Sequence, residues 1–213
     1  CSICGFIDYH DSKKDSENLL EKMNKALTHR GVDGSGCFTF AHGGFCHNRL
    51  SVMDVQNGAQ PMSKKHGKHT YTICYNGEIY NCEDLRKTLT EKGAEFTTNC
   101  DTEVVLYSYI IYGKECAEKL NGIFAFAVYD EKENYVYLAR DRFGIKPFFY
   151  SFVGSTFYFA SEIKALLSVD EIKPKIDKLG MWQLLFLSPI TLEGKTVFKN
   201  ILQIKPGCCG TFS

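Results

Sequence analysis

The sequence lacks an excess of charge of either sign, because its 213 residues carry 25 Lys and Arg against 25 Asp and Glu. A balanced chain gives no electrostatic signal for binding nucleic acid or an anionic membrane surface. It also lacks any apolar run approaching the roughly 20 residues that a membrane-spanning helix needs. We therefore predict no nucleic-acid partner and no membrane partner.

Nucleotide and metal motifs are missing as well. The sequence contains neither a Gly-x-x-x-x-Gly-Lys-Ser/Thr phosphate loop nor a Gly-x-Gly-x-x-Gly run after a strand. Cys1 and Cys4 form one Cys-x-x-Cys pair, but a zinc site needs a second pair of ligands. His42 and His47 match that second pair only weakly. We therefore predict no metal site.

The ten cysteines lack the close, regular spacing of small secreted domains that are stabilised by several disulfides. A chain of this length can bury a core without disulfides. The first five residues, Cys1 to Gly5, lack the basic start of a signal peptide. We predict mostly free, buried thiols in a reducing, cytoplasmic compartment, with a Cys1–Cys4 disulfide left open as an alternative.

Hydrophobic patterning predicts an α+β fold made of antiparallel strands with helices inserted in pairs. Residues 122–130 are apolar on both faces, so the strand they form must be covered on both sides. This pattern indicates a sheet between a second sheet and a helical layer. We assign residues 1–170 to the core and the proline-punctuated residues 171–213 to a C-terminal segment.

The first residue carries the strongest chemical signal. If an initiator Met is removed, Cys1 presents a thiol and a free α-amino group on the same residue. An α-amine titrates at about 7.7–8.0, so at neutral pH part of it is uncharged and can take the thiol proton. The alternative is that Cys1 only marks the place where the sequence was cut.

Three further segments offer polar groups, and each has a plain structural alternative. Arg49 has a planar fork that matches a carboxylate, or it is a surface arginine. Asn76 and Gly77 offer a side-chain and a main-chain N–H to an oxyanion, or they form a turn. Asp101 can bind an ammonium group, cap the helix that follows, or do both.

Taken together, the motifs resemble a known family. The start from Cys1 to Phe6 resembles that of class II glutamine amidotransferases, which are N-terminal nucleophile hydrolases. Co-linear motifs resemble the glutaminase domain of glutamine-hydrolysing asparagine synthetases of the B type. These motifs are His29–Asp33, His47–Val52, Gln60–Met62, Tyr75–Asn81, Cys100–Glu103, Gly122–Ala127, Ala139–Pro147 and Phe159–Leu166.

The resemblance implies a four-layer αββα sandwich, in which two antiparallel sheets lie between helical layers. It also implies hydrolysis of L-glutamine to glutamate and ammonia, with no cofactor for this step. Cys1 would attack the substrate amide and form a thioester, while Asn76 and the N–H of Gly77 would hold the oxyanion.

The resemblance further implies a charge clamp for the two ends of glutamine. Arg49 would pair with the α-carboxylate. Asp101 would pair with the α-ammonium group, helped by Glu78 or by the main-chain carbonyl of Val52. Arg30 and Asp33 are interpreted as an internal salt-bridged loop, in which Val32 replaces the proline usual in the family.

Asparagine synthetases also carry an ATP-using domain that begins with a Ser-Gly-Gly-x-Asp-Ser loop, which this sequence lacks. The resemblance therefore implies a separate synthetase domain or subunit that accepts the ammonia and uses ATP and Mg²⁺. The alternative to an enzyme is a catalytically silent, glutamine-binding or regulatory module of a synthetase complex.

Overall fold

The computed structural model describes residues 1–10, 15–187 and 194–213. Within these ranges the chain forms strands in two sheets, and helices that cover them. The strands are β1 (Ser2–Ile7), β2 (Gly34–Phe40), β3 (Gly43–Arg49), β4 (Met62–His66), β5 (His69–Ile79), β6 (Gly122–Asp130), β7 (Tyr135–Arg140), β8 (Phe149–Val153), β9 (Thr156–Ala160), β10 (Leu202–Gln203) and β11 (Cys209–Phe212). The helices are α1 (Ser16–Lys25), α2 (Cys82–Glu91), α3 (Asp101–Tyr112), α4 (Cys116–Lys119), α5 (Ile163–Leu167) and α6 (Lys178–Phe186).

Both sheets are antiparallel. The first has the strand order β10-β8-β9-β1-β3-β2 and the second has the order β11-β7-β6-β5-β4. Strand β1 lies inside the first sheet, where it pairs with β3 on one side and β9 on the other. Cys1 therefore immediately precedes a strand that is held on both sides, which fixes its place in the molecule.

Three hydrophobic clusters separate four layers, which confirms the αββα prediction. One cluster lies between the sheets and includes Phe45 and Phe159. A second joins the first sheet to α1 and α5, and a third joins the second sheet to α2 and α3. Strand β6 shows the double burial that its sequence predicts, because Ala125 faces the first sheet while Phe126 faces the helices.

The C-terminal segment contributes to both sheets. Strand β10 pairs with β8 in the first sheet, and β11 pairs with β7 in the second. Residues 188–193 of this segment lie outside the described residues. The division of the chain at residue 170 stays a prediction.

The turn interpretation of Asn76 and Gly77 is wrong. Both residues lie within β5, where Asn76 is opposite Ala125 and Gly77 is opposite Phe124 on β6. The pairing of β5 with β6 outweighs the local preference of an Asn-Gly pair for a turn. The preference of a residue for a strand depends strongly on the residues that pair with it across the sheet.

The prediction of mostly free thiols is confirmed, with one exception that the sequence did not predict. Eight of the ten cysteines are free, but only four of these eight are buried, so the predicted burial holds for half of the free thiols. Cys37 and Cys46 form a disulfide between directly opposite positions of β2 and β3, with their Cα atoms 4.1 Å apart. Cys1 and Cys4 are both free, so the alternative Cys1–Cys4 disulfide is not formed.

Candidate active site

Six of the seven predicted site residues line one pocket beside the start of β1. These are Cys1, Arg49, Val52, Gly77, Glu78 and Asp101. The seventh, Asn76, precedes Gly77 on β5 and is buried. The pocket forms because β1, the end of β3, the end of β5 and the start of α3 all meet there.

The Cys1 thiol lies against the main chain at the end of β3. The N–H of Leu50 donates to Cys1 Sγ over 3.3 Å, and the Leu50 carbonyl lies 3.4 Å from the same sulfur. These two contacts with Leu50 fix the position of the sulfur, whose thiolate form is the nucleophilic form of cysteine.

The α-amino group of Cys1 is prepared to act as a base. Burial lowers its pKa from 8.0 to about 6, with further lowering from the positive charges of Arg30 and Lys146. A group with a pKa near 6 is mostly uncharged at pH 7, so this amine can accept a proton under neutral conditions.

The Ala139–Pro147 motif brings Lys146 to this position. The carboxylate of Asp141 accepts the N–H of Lys146 over 2.9 Å, and Arg140 Nε donates to the Lys146 carbonyl over 2.8 Å. Asp141 is fully buried and Arg140 is 7% exposed. This buried pair therefore fixes the loop that carries the lysine, which explains a motif that sequence reasoning used only for recognition.

Asn76 has a side-chain N–H group that no described residue accepts, and Gly77 lies where the main chain is closely packed. The Asn76 side chain is 2% exposed, and its Nδ2 finds no hydrogen-bond acceptor among the described residues. A buried donor without a partner costs free energy, and this amide is therefore available to donate to a ligand. A Cβ atom at Gly77 would lie 2.5 Å from the Ile123 carbonyl oxygen, so only glycine fits there.

Tyr75 fixes this part of β5 and was missed by sequence reasoning. Its N–H donates to Gln60 Oε1 over 2.7 Å, and its carbonyl accepts from His47 Nε2 over 3.0 Å. Burial lowers the pKa of His47 to about 3, so the ring is neutral and donates from Nε2. The Tyr75 hydroxyl donates to Asp101 Oδ2 over 2.6 Å.

Two carboxylates lie together at one side of the pocket. Burial raises the pKa of Asp101, although the hydrogen bond from Tyr75 opposes that rise. Burial and the charge of Asp101 raise the pKa of Glu78. Asp101 is the first residue of α3, and the cap position is Cys100, so Asp101 is not the helix cap. Paired acids whose ionised forms repel each other gain from a cation between them.

Arg49 points its guanidinium at the loop that follows β3. Nη1 donates to the Val55 carbonyl over 2.7 Å, and Nη2 donates to the carbonyls of Met53 and Asp54 over 3.0 and 2.6 Å. These bonds engage three of its five N–H groups. Val52, on the same loop, is 74% exposed.

Arg30 and Asp33 do not pair with each other, so the predicted internal salt bridge is wrong. Arg30 Nη1 lies 2.9 Å from Glu162 Oε1, whereas Asp33 Oδ2 accepts the N–H of Ser51 over 2.7 Å. The main-chain N–H of Asp33 donates to the Arg49 carbonyl over 3.0 Å, so the main chain of Asp33 is held at the end of β3 while its side chain is held by Ser51.

The described architecture is shared with two proteins whose structures are solved. The glutamine phosphoribosylpyrophosphate amidotransferase of Bacillus subtilis superimposes with a TM-score of 0.67 at 21% identity, over 79% of this chain and 43% of that chain. A structure described as the allosteric regulatory enzyme of purine biosynthesis gives a TM-score of 0.68 at 21% identity, with the same coverage. These matches show that the chain shares its fold with these two proteins.

The chain belongs to the glutamine amidotransferase domain family, whose model matches residues 1–213. It is 45% identical over its whole length to asparagine synthetase [glutamine-hydrolyzing] 3 of B. subtilis, and 40% identical over 210 residues to asparagine synthetase [glutamine-hydrolyzing] 1 of that organism. The chain spans 35% and 33% of those two relatives. Within the described ranges, no helix is both long enough and apolar enough to cross a membrane.

Proposed function

We propose that this chain hydrolyses L-glutamine to glutamate and ammonia through a thioester on Cys1. The observation that supports the proposal is the pocket that Cys1 shares with Arg49, Gly77 and Asp101. The Cys1 thiol accepts a main-chain hydrogen bond and its own α-amine has a pKa of about 6. Asn76, which precedes the pocket residue Gly77 on β5, has a buried amide donor that finds no acceptor among the described residues. Acyl transfer needs a nucleophile, a base and an oxyanion donor together.

In the proposed reaction, Cys1 Sγ bonds to the side-chain carbonyl carbon of glutamine while the α-amine takes the thiol proton. Asn76 Nδ2 and the N–H of Gly77 hold the oxyanion that forms. The carbon–nitrogen bond then breaks, and the ammonium form of the α-amine returns its proton to the leaving ammonia. Water attacks the thioester, which releases glutamate and restores the thiol. This cycle requires no cofactor.

Arg49 and Asp101 are the proposed ligands for the two charged ends of glutamine. The Nε–H and one Nη1–H of Arg49 remain beyond the N–H groups that hold the loop carbonyls, and either of them can donate to the α-carboxylate. Asp101 and Glu78 present negative charge to the α-ammonium group, and the carbonyl of Val52 is the proposed further acceptor.

The ammonia is proposed to serve an asparagine synthetase-like amidation by a synthetase domain or subunit. This part of the proposal rests on the two B. subtilis relatives, of which the chain spans about a third. ATP and Mg²⁺ would act in that synthetase part. We propose a cytoplasmic location on the ground of the many free thiols.

Intact mass after treatment with 6-diazo-5-oxo-L-norleucine, measured alongside glutamate release, tests the proposed function. This glutamine mimic alkylates a nucleophile that binds it. One adduct on Cys1 together with steady glutamate release supports the proposal. An adduct without turnover indicates the silent glutamine-binding module, and a chain with a free Cys1 that forms no adduct overturns the catalytic role.

The activity should rise with pH through the titration of the α-amine. Its folded pKa is lowered, so the uncharged base is lost only as the pH falls through about 6. We expect kcat/KM for glutamine to be half-maximal near pH 6 and to reach a plateau by about pH 7. A steady-state pH profile measures this, and an acid limb at pH 8 would contradict the assignment of the base.

Tyr75→Phe should weaken glutamine binding more than catalysis. The change removes the hydroxyl that donates to Asp101 over 2.6 Å, so the carboxylate loses a bond that favours its charged form. We expect KM to rise by about tenfold, since hydrogen bonds to charged groups are worth about 1.5–3 kcal/mol. Tyr109→Phe, which removes a buried hydroxyl bonded to Asp130, is the matched control. A fall in kcat with KM unchanged would be the contrary result.

A further inference from the structure

Two motifs have no role in the proposed reaction, His29–Asp33 and Phe159–Leu166, and Arg30 of the first links Glu162 of the second to Cys1. Arg30, at the end of the short 3-10 turn Thr28–Arg30, donates from Nε to the Cys1 carbonyl oxygen over 3.1 Å. The same guanidinium reaches Glu162 Oε1 from Nη1 over 2.9 Å. One arginine therefore connects the main chain of the nucleophile to an acid 161 positions away from it.

We propose that Glu162 and Arg30 form a clamp that positions Cys1, in which Glu162 holds the guanidinium and the guanidinium holds the Cys1 main chain. This inference rests on the proposed function, since it assigns positioning residues to the same site. Cys1 supplies both the thiol and the α-amine, so movement of its main chain would displace nucleophile and base together.

Strand register explains why Glu162 lies beside Cys1. Ala160 is opposite Cys4 in the β1–β9 pair, and the ladder continues one step further at Ser161. The Ser161 N–H donates to the Ile3 carbonyl over 2.8 Å, and Ser161 Oγ accepts the Ile3 N–H over 2.9 Å. The next residue of the chain, Glu162, is therefore brought alongside the start of β1.

The other end of the clamp is fixed by close packing. Gly31 follows Arg30, and a Cβ atom there would collide with the main chain of Asn48 and Arg49. Only glycine lets the chain lie so close to β3 at this point. The turn that carries Arg30 is therefore packed directly on the strand that leads to the pocket.

Glu162 is built to stay ionised. Partial burial opposes its charge, but hydrogen bonds from Arg30, His29 and Lys164 outweigh this and lower its pKa to about 2. His29 Nε2 lies 3.0 Å from Oε1, and Lys164 Nζ lies 3.3 Å from Oε2. The clamp thus has a permanent anion and a permanent cation throughout the range in which the α-amine titrates.

The charged and titratable groups around the α-amine come from several elements. Arg30 acts from the 3-10 turn and Lys146 from the loop after β7, and both lower the pKa of the amine. His47 on β3 is neutral because burial lowers its pKa to about 3. Glu162 acts through Arg30. Loss of the Arg30 charge should therefore raise the pKa of the amine, while Lys146 and burial continue to lower it.

The test compares Arg30→Gln, Arg30→Lys and Glu162→Gln with the wild-type chain by two measurements. One is the pH profile of glutamate release. The other is the pH dependence of acetic anhydride labelling of the Cys1 α-amine, read by peptide mass spectrometry, which needs no turnover. Asp170→Asn, which breaks the exposed Lys22–Asp170 pair, is the matched control and should behave like the wild-type chain.

We expect Arg30→Gln and Glu162→Gln to lower kcat by about tenfold to a hundredfold, because small displacements of reacting groups are costly. Arg30→Gln should also move the labelling midpoint upward from about 6. Arg30→Lys keeps the charge but cannot reach both partners, so it should lower kcat with little change in midpoint. The side chains of Arg30 and Glu162 are only 29% and 26% exposed, so thermal unfolding is measured for each variant and kcat is compared at a temperature at which all of them are folded.

The clamp is overturned if Arg30→Gln and Glu162→Gln match the wild-type chain in kcat and Arg30→Gln keeps its labelling midpoint. That result would leave the glutaminase proposal intact. If the wild-type chain releases no glutamate, the proposed function fails instead. The clamp is then decided by labelling alone, where an unchanged midpoint in Arg30→Gln overturns it and a raised midpoint supports it.

Discussion

Cys1→Ala should reduce glutamate release from glutamine to the background rate. The thiol is the proposed nucleophile, and it accepts a hydrogen bond from Leu50 in a pocket that also contains Arg49 and Asp101. Removing the nucleophile of an acyl-transfer enzyme costs about 10⁶-fold in kcat, because no other group can form the covalent intermediate. Glutamine binding should survive, since the proposed charge ligands are untouched.

The measurement is a glutaminase assay together with glutamine binding by calorimetry. Cys82→Ala is the matched control, because Cys82 is a half-buried free thiol on α2. It should retain the wild-type rate. A chain that keeps one extra residue before Cys1 should be as inactive as Cys1→Ala, because its amine has become an amide that cannot act as a base. Residual turnover of Cys1→Ala above about 1% of the wild-type rate would contradict the nucleophile assignment.

Much of the fold could be predicted because its signals are local. Residues 122–130 are apolar on both faces, which predicts a strand between two layers, and the structure has this strand as β6. Periodicity also indicated α2 and the start of α3. The Asn76–Gly77 pair misled for a physical reason, since its local turn preference is overridden by pairing with β6, which lies more than 40 residues away.

The candidate site was predicted only in part. Resemblance supplied seven residues, and six of them line one pocket. It did not supply Tyr75, whose hydroxyl, N–H and carbonyl bond to three different segments. Nor did it place Glu162 alongside the start of β1, where Arg30 links it to Cys1, because that placement depends on the β1–β9 register. Contacts between distant segments follow from topology, which residue patterns along the chain do not specify.

Asn76→Ala should separate catalysis from stability. Asn76 Nδ2 is buried and bonds to no acceptor among the described residues, so its loss removes no hydrogen bond that holds the protein together. In the proposed reaction this group donates to the oxyanion, and loss of one such donor lowers kcat by about 10²–10³-fold. The free energy of unfolding should fall by no more than about 1 kcal/mol, from lost packing alone.

Asn48→Ala is the matched control with the opposite expectation. Asn48 is also a buried asparagine, but its Nδ2 donates to Asn24 Oδ1 over 2.8 Å and to the Asn24 carbonyl over 3.0 Å. Its loss leaves those acceptors unsatisfied, so we expect unfolding to become easier by about 1–3 kcal/mol with kcat kept within about tenfold. Denaturant unfolding and glutaminase kinetics on both variants measure the contrast. If Asn76→Ala lost stability like Asn48→Ala while keeping its kcat, Asn76 would be a structural residue, and the oxyanion would have to be held by other donors such as the N–H of Gly77.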